Sequence, residues 1–247
     1  MHPATFFQMA ARLLPVQCLL CKAPVTGRPL CHGCEKVLPW NSPSCQRCAL
    51  PLVRNQNDCE SCSAAPPLFQ QAFCALQYSN PCNLLLNRFK HDGRLECGRL
   101  LANLLADRLL HQRQQTLAPW PHAIVAVPLH WRRLRQRGFD QSLQIARVLA
   151  KRLSLPVIDV IARKRETISQ QNLTRIERQH NLQGAFVIQR SIPFQHVALV
   201  DDVLTTGSTA DEISQLLLQH GVQTVQLWAI ARTPESPKQT NPLVGIR

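Results

Sequence analysis

Four cysteine pairs, each separated by two residues, occupy the first quarter of the chain: Cys18/Cys21, Cys31/Cys34, Cys45/Cys48 and Cys59/Cys62. No other feature restricts the fold as severely. One C-x-x-C turn grips half of a metal ion, and two turns complete a tetrahedral four-thiolate site of the kind that selects Zn2+. Four turns therefore predict two Zn2+ ions. Nine residues lie between Cys21 and Cys31 and ten between Cys48 and Cys59. This regularity favours pairing the turns in sequence order and leaves a crossed pairing open. Disulfides are the competing reading, but a redox turn does not usually recur four times, and a cytoplasmic chain would keep its thiols reduced. With every ligand a thiolate and no open coordination position, both ions are expected to be structural. The segment also carries Pro24, Pro29, Pro39, Pro43 and Pro51. It is too polar to build a core, so metal binding should supply most of its folding energy. Cys74, Cys82 and Cys97 fall outside the pattern and read as small core residues.

The chain has 247 residues, of which 45% are hydrophobic and 17% charged. That suits a globular protein of one large or two smaller domains. The sequence has no apolar run of the roughly 18 residues that a membrane span needs. Its first 21 residues lack the organisation of a signal peptide. The expectation is a cytoplasmic protein without membrane insertion. A boundary is expected at the linker 63–71, giving a Cys-rich unit over 1–63 and a second unit over 72–235 with its own core.

In the second unit, strands are expected at 72–78, 124–129, 157–161, 185–188, 197–200 and 224–230. Helices are expected at 82–91, 96–113 and 140–153, the last capped by Asp140. Strands alternating with helices predict an α/β fold with a mostly parallel sheet covered on both faces. The net charge is +13, and the excess is clustered. Between Pro128 and His180, twelve Lys/Arg stand against four acids, a local excess of eight. A polyanionic partner is implied. The polar, basic stretch from Arg163 to Leu173 reads as a loop that could close over a ligand.

The densest chemistry lies in VALVDDVLTTGST, residues 197–209. The apolar run predicts a short buried strand, and the residues after Gly207 a helix start capped by Ser208 or Thr209. Such a loop sits at the carboxyl end of its strand, where ligands bind in open α/β sheets. Small and hydroxylated residues at a helix start offer N–H groups to a phosphate. Asp201 and Asp202 would repel a phosphate, and suit sugar hydroxyls or a Mg2+ ion. A ligand with a phosphate at one end and ribose hydroxyls nearby meets both demands. After a second strand, HWRRLRQRGFDQ (130–141) reads as an arginine-rich loop approaching the same sheet edge, suited to phosphate oxygens.

The stretch 197–209 resembles the phosphoribosyl-pyrophosphate (PRPP) motif of type I phosphoribosyltransferases. That likeness implies that Asp201 and Asp202 are the catalytic pair on ribose hydroxyls, with Mg2+ accompanying PRPP. It also implies that Thr205, Thr206, Gly207, Ser208 and Thr209 hold the 5′-phosphate. Taken with VPLHWRRLRQRGFDQ and RKRETISQQNLTRIERQHNLQGAF, the series resembles the ComF/GntX family, which joins a double zinc ribbon to a phosphoribosyltransferase-like domain. The likeness runs in order from Cys18 to about Arg232. Arg137, Gly138, Phe139 and Gln141 match in the first segment, and Arg163, Arg165, Thr167, Gln170, Leu173, Arg178, Asn181, Gly184, Ala185 and Phe186 in the second. Asp140 departs from it, standing where the family usually has Asn. Arg133, Arg135, Arg137, Arg163 and Arg165 are the expected PRPP-binding arginines.

Three functions follow from this reading. One is a phosphoribosyltransferase with an unidentified acceptor, since Thr205 occupies the place of the Asp that serves as base in purine-salvage relatives. Another is a PRPP-binding domain without turnover. The last is a factor that holds single-stranded DNA or meets the DNA-uptake machinery, because the resemblance implies a role in uptake or use of external DNA.

Overall fold

The computed structural model describes residues 15–54, 56–116, 119–164 and 184–234. The cysteine-rich segment is one module built twice. In the first copy, hairpin β1 (Pro15–Gln17) and β2 (Pro24–Thr26) carries Cys18 and Cys21 in its turn. Cys31 then caps the short helix α1 (His32–Lys36). In the second copy, a turn holds Cys45 and Cys48, and Cys59 precedes helix α2 (Glu60–Ala64). In each copy the residue after the second cysteine adopts a positive φ, 66° at Lys22 and 55° at Ala49. That bend folds the turn back so that its two thiols face one point.

The second unit centres on four parallel strands in the order β3–β8–β7–β4. They are β3 (Gln71–Gln77), β4 (Ala123–Ala126), β7 (His196–Leu204) and β8 (Thr224–Arg232). Their burial shows why they form: side chains alternate across the sheet, and both faces are covered. Ala198 and Val200 pack on one side with α3 (Cys82–Lys90), α4 (Leu95–Gln115) and α6 (Gln141–Leu153). Val197 and Leu199 pack on the other with α7 (Ser208–Gln219). Where α3 meets α4, a Cβ on Gly98 would lie 2.4 Å from the Phe89 ring, so only glycine fits.

Several expected elements differ. Residues 157–161 do not form a strand of the main sheet; Val157 makes only an isolated bridge to Ile124. A separate antiparallel pair follows, β5 (Ile161–Arg163) with β6 (Phe186–Ile188), and it covers the α7 face. The arginine-rich loop is largely helical, α5 (Trp131–Arg137), and ends at Gly138 with φ 82°. Strand β7 runs four residues past its expected end, because β8 still pairs with it at Asp201, Val203 and Leu204. Asp201 and Asp202 therefore stand in the strand, not after it. The cap of α7 is Gly207, not Ser208 or Thr209.

The first zinc module shares the sheet's core: Cys18, Leu30 and Leu38 pack with Leu76, Leu85 and Leu101. The expectation of separate cores fails there. The second module keeps a small cluster of its own, Cys45, Leu50, Cys59 and Cys62. The segment between the modules runs along the outer edge of β3. Asn41 N–H donates to Ala75 O (3.0 Å), Gln77 N–H to Pro39 O (2.7 Å) and Ala72 N–H to Gln46 O (3.3 Å). At the far edge, Pro156 and Ile158 bond the backbone of Ile124. Both edges of the sheet are thus covered, which blocks edge-to-edge pairing with other chains.

Candidate functional site

The metal centres come directly from the module geometry. Cys18, Cys21, Cys31 and Cys34 form one cluster, and Cys45, Cys48, Cys59 and Cys62 another, with the Sγ atoms of each within 4.8 Å of one another. The pairing is sequential, not crossed. Zn–S bonds of about 2.3 Å require tetrahedral S–S edges of about 3.8 Å. The Cys21–Cys31 and Cys48–Cys59 separations are 3.7 and 3.6 Å. Backbone N–H groups of Cys31 and Cys59 point at the sulfurs of Cys18 and Cys45, at 3.5 and 3.3 Å. Such donors stabilise thiolate charge. These are two four-thiolate zinc sites, closed by protein ligands and so structural.

The second site arises at the carboxyl ends of β4 and β7. The longer of the two helices after β4, α6, covers one face of the sheet, and the helix after β7, α7, covers the other. Neighbouring strands whose connections diverge in this way leave a crevice between them. Strand β4 stops level with Val200 while β7 continues to Leu204. The overhang opens a cleft of about 640 Å3. Asp201, Asp202, Thr205, Gly207 and Thr209 line it on the β7 side, and Arg133, Arg137 and Arg163 from the other elements.

The two carboxylates are differently served. Asp201 Oδ1 accepts from the Ser142 hydroxyl (2.9 Å) and from the Asp202 N–H (2.8 Å). Burial, aided by the neighbouring Asp202 charge, pushes the Asp201 pKa up to about 7. Asp202 Oδ2 lies 2.9 Å from the Lys90 ammonium at the end of α3. Burial is the largest single influence on Lys90 and works against its charge, but the charge and hydrogen bond of Asp202, with the charge of Asp201, together hold the ammonium above its ordinary pKa. Lys90, Tyr78, Gln141 and Ser142 line the cleft as well. Gln141 is 3% exposed, and its Nε2 donor lacks a partner among the described residues. A buried orphan donor is costly unless a ligand oxygen meets it. Lys90 and Tyr78 were not singled out from sequence, where Lys90 is one basic residue ending an amphipathic helix.

The expected phosphate loop divides. Thr205, Gly207 and Thr209 face the cleft. Thr206 and Ser208 share a hydroxyl hydrogen bond (3.0 Å), and Ser208 N–H reaches Thr206 Oγ1 (3.4 Å). Gly207 has φ 86°, and a Cβ there would make only ordinary contacts with Phe69 and Leu204. The glycine is required by conformation, not by crowding. Arg232 anchors the loop from behind. Nearly buried, it donates through Nε to Cys48 O (2.9 Å) and through Nη1 to the carbonyls of Leu204, Thr205 and Thr233. One guanidinium thus ties a zinc turn to the start of the 204–209 loop.

The arginines divide too. Arg133 and Arg137 reach the cleft, where burial holds Arg137 below its ordinary pKa. Arg135 does not reach it; together with Arg132 it packs on the Trp131 ring, at 5.0 and 5.3 Å. Arg163 reaches the cleft with its guanidinium 5.4 Å from the Phe186 ring. Arg165, and the basic stretch beyond Lys164, lie outside the described residues. Asp140, the departure noted above, accepts from Leu129 N–H (3.0 Å) and Leu143 N–H (2.9 Å), joining the β4 end to the α6 start. Phe139 packs on Phe89, with ring centroids 5.2 Å apart, as a packing residue.

A parallel sheet with an acidic, glycine-turned cleft, preceded by two four-thiolate zinc modules, defines a zinc-ribbon protein with a phosphoribosyltransferase-type domain. Family models agree: a double zinc ribbon domain matches residues 9–75 and a phosphoribosyl transferase domain residues 140–243. DNA utilization protein YhgH of Salmonella typhi is 36% identical over 223 residues, covering 89% of this chain and 98% of that protein. Competence protein F of Haemophilus influenzae is 32% identical over 222 residues, covering 87% and 96%. The chain belongs to the ComF/GntX family of DNA utilization and competence proteins.

Proposed function

We propose that the cleft binds PRPP or a related phosphoribosyl ligand, and that the protein acts in the cytoplasm in the uptake or use of external DNA. The observation that carries this reading is the confluence of the Asp201–Asp202 pair, the Gly207 turn and three arginines in one cleft. The 5′-phosphate would take N–H groups of the 205–209 loop. The ribose hydroxyls would meet Asp201 and Asp202, and the diphosphate Arg133, Arg137 and Arg163. Residues 1–63 would serve as the zinc-bound support and 72–235 as the ligand-binding unit. Transfer would need little more than this. Diphosphate leaves, positive charge develops on the ribosyl carbon, and the carboxylates lie where they can stabilise it. Magnesium, which the resemblance implies with PRPP, fits these residues poorly. Asp202 is already paired with Lys90, and one oxygen of Asp201 already accepts two hydrogen bonds.

Calorimetry with PRPP, ribose 5-phosphate and sulfate tests the assignment. Asp201→Asn combined with Asp202→Asn should weaken PRPP about tenfold or more and spare sulfate. Gly207→Val should lose all three ligands, because a β-branched residue resists a positive φ. A double Asn variant that binds PRPP like the wild type sinks the ribose assignment. Pyrophosphate release in the presence of candidate acceptors separates turnover from binding alone.

A single-stranded DNA reading is favoured by Trp131, half exposed on α5 and flanked by Arg132 and Arg135. Aromatic and guanidinium planes on a basic surface are the elements of a stacking platform. Binding that falls steeply with salt, and weakens further in Trp131→Ala, supports this reading; salt-indifferent binding overturns it.

A further inference from the structure

We propose that Lys90 takes the place of a divalent cation at the phosphoribosyl site, so that the ligand binds without magnesium. The inference rests on the phosphoribosyl reading of the cleft and goes beyond it in naming what neutralises the acidic pair.

Lys90 belongs to α3, and Asp202 lies 112 positions later in β7, yet Nζ and Oδ2 are 2.9 Å apart. Their side chains are only 20% and 13% exposed. A surface pair of this length would be screened and weak; a largely covered one is neither. The last turn of a helix also favours a cation, because the unpaired carbonyls there carry partial negative charge. The ammonium is therefore held in place by Asp202 and by its own helix.

A magnesium ion would have to compete with that arrangement. Mg2+ demands near-octahedral oxygen at about 2.1 Å and sheds its water reluctantly. On Asp202 it would meet Lys90 at contact distance and Arg137 in the same cleft. Asp201 offers little in exchange, because Ser142 and the Asp202 N–H already occupy one of its oxygens. Nor does the ligand lack counter-charge. Lys90, Arg133, Arg137 and Arg163 all line the cleft and could face the diphosphate. An ammonium has three N–H donors. Asp202 takes one, and the remainder can serve a ribose hydroxyl or a diphosphate oxygen. A fixed lysine thus supplies the bridge between carboxylate and ligand that a metal ion would otherwise make.

The test is calorimetric titration of the full zinc-loaded chain with PRPP. Divalent ions are removed by passing the buffer over a chelating resin, because a soluble chelator would strip the thiolate-bound zinc. The titration is repeated with magnesium restored. Wild type should change its affinity by less than about threefold between the two conditions. Lys90→Met should bind at least about tenfold more weakly without magnesium and regain most of the loss with it. Lys90→Arg, which keeps the charge, should restore magnesium-free binding. Unchanged zinc content and sulfate affinity show that each variant retains its fold and its phosphate loop. A wild type that binds PRPP only with magnesium overturns the inference and leaves the phosphoribosyl reading standing. So does a Lys90→Met variant as indifferent to magnesium as wild type. A wild type that binds sulfate but PRPP under neither condition overturns both.

Discussion

Asp201 is a carboxyl group whose charge the fold opposes. Between 3.8 and about 7 the folded chain holds a proton that the unfolded chain has released. Its contribution to stability is therefore present below pH 3.8, falls as pH rises across that window, and is most unfavourable above pH 7. Asp201→Asn should melt at a higher temperature than wild type at pH 8, by several degrees, and converge with it near pH 4. Equal melting temperatures at pH 8 would show that the carboxylate is not strained. Ligand selectivity should report the same titration. A ribose hydroxyl donates best to the ionised form, so preference for ribose 5-phosphate over 2-deoxyribose 5-phosphate should grow as pH rises through 7. The phosphate's own ionisation cancels in that ratio, and Asp201→Asn should flatten it. At this scale the sequence was informative where residues are neighbours in the chain. The DDVLTTGST order brought the acids and the glycine turn to one sheet edge, although the acids lie within β7 and not after it. It could not show that Thr206 and Ser208 would bond each other, because the turn that brings them together depends on Gly207.

Among the secondary-structure elements, Arg232 at the end of β8 does the most to join separate parts. Its carbonyl partners belong to the second zinc module and to the end of β7 with the loop that follows. Leu68 N–H also donates to Asp211 in α7 (2.9 Å), and Phe69 packs beneath Gly207. Removing the guanidinium in Arg232→Met would leave buried carbonyls without donors, at a cost of about 2–4 kcal/mol. The expected result is weaker sulfate binding together with faster release of one of the two zinc ions to a colorimetric chelator. If sulfate affinity holds while zinc is lost, the loop does not depend on the ribbon. Strands and helices were legible because β7 opens on a short, continuous apolar run buried on both faces, while apolar residues repeat at helical spacing in α4 and α6. Lys90 and Arg232 were not, since their partners lie 112 and 184 positions away along the chain, and local pattern carries no such information. The arginine-rich α5 was read as a loop for a related reason. It buries no side chain, so it has no apolar stripe to announce a helix.

The whole molecule treats its two zinc sites unequally. The first module contributes Leu30 and Leu38 to the main core, and Arg28 and Arg88 reach from module to helix and back, to Asp107 (3.5 Å) and to Leu19 O (2.7 Å). The second module leans, through Arg232, on the 204–209 loop. Cys31→Ser should therefore cost a zinc ion and lower the melting temperature of the entire chain. Cys59→Ser should cost the other ion and act chiefly on phosphate affinity. Scanning calorimetry and sulfate titration of the two variants separate these effects, and identical profiles would contradict the asymmetry.

The order in which the strands are synthesised gives the covered edge of β3 a further meaning. This strand ends at Gln77, and its neighbour in the sheet among the described residues, β8, begins at Thr224. At about 5–20 residues per second, a ribosome needs about 7–30 s to bridge that interval. Throughout it β3 is an orphan strand, apolar and ready to pair with a neighbouring nascent chain. The stretch that shields its outer edge, residues 39–46, leads from the first zinc module into the second and has already been made. A ribbon loaded with metal early can sit on β3 while the rest of the sheet is still being translated. Zinc supply during synthesis would then determine yield, and cells short of the metal should accumulate this chain as aggregate before any mature molecule loses its ions.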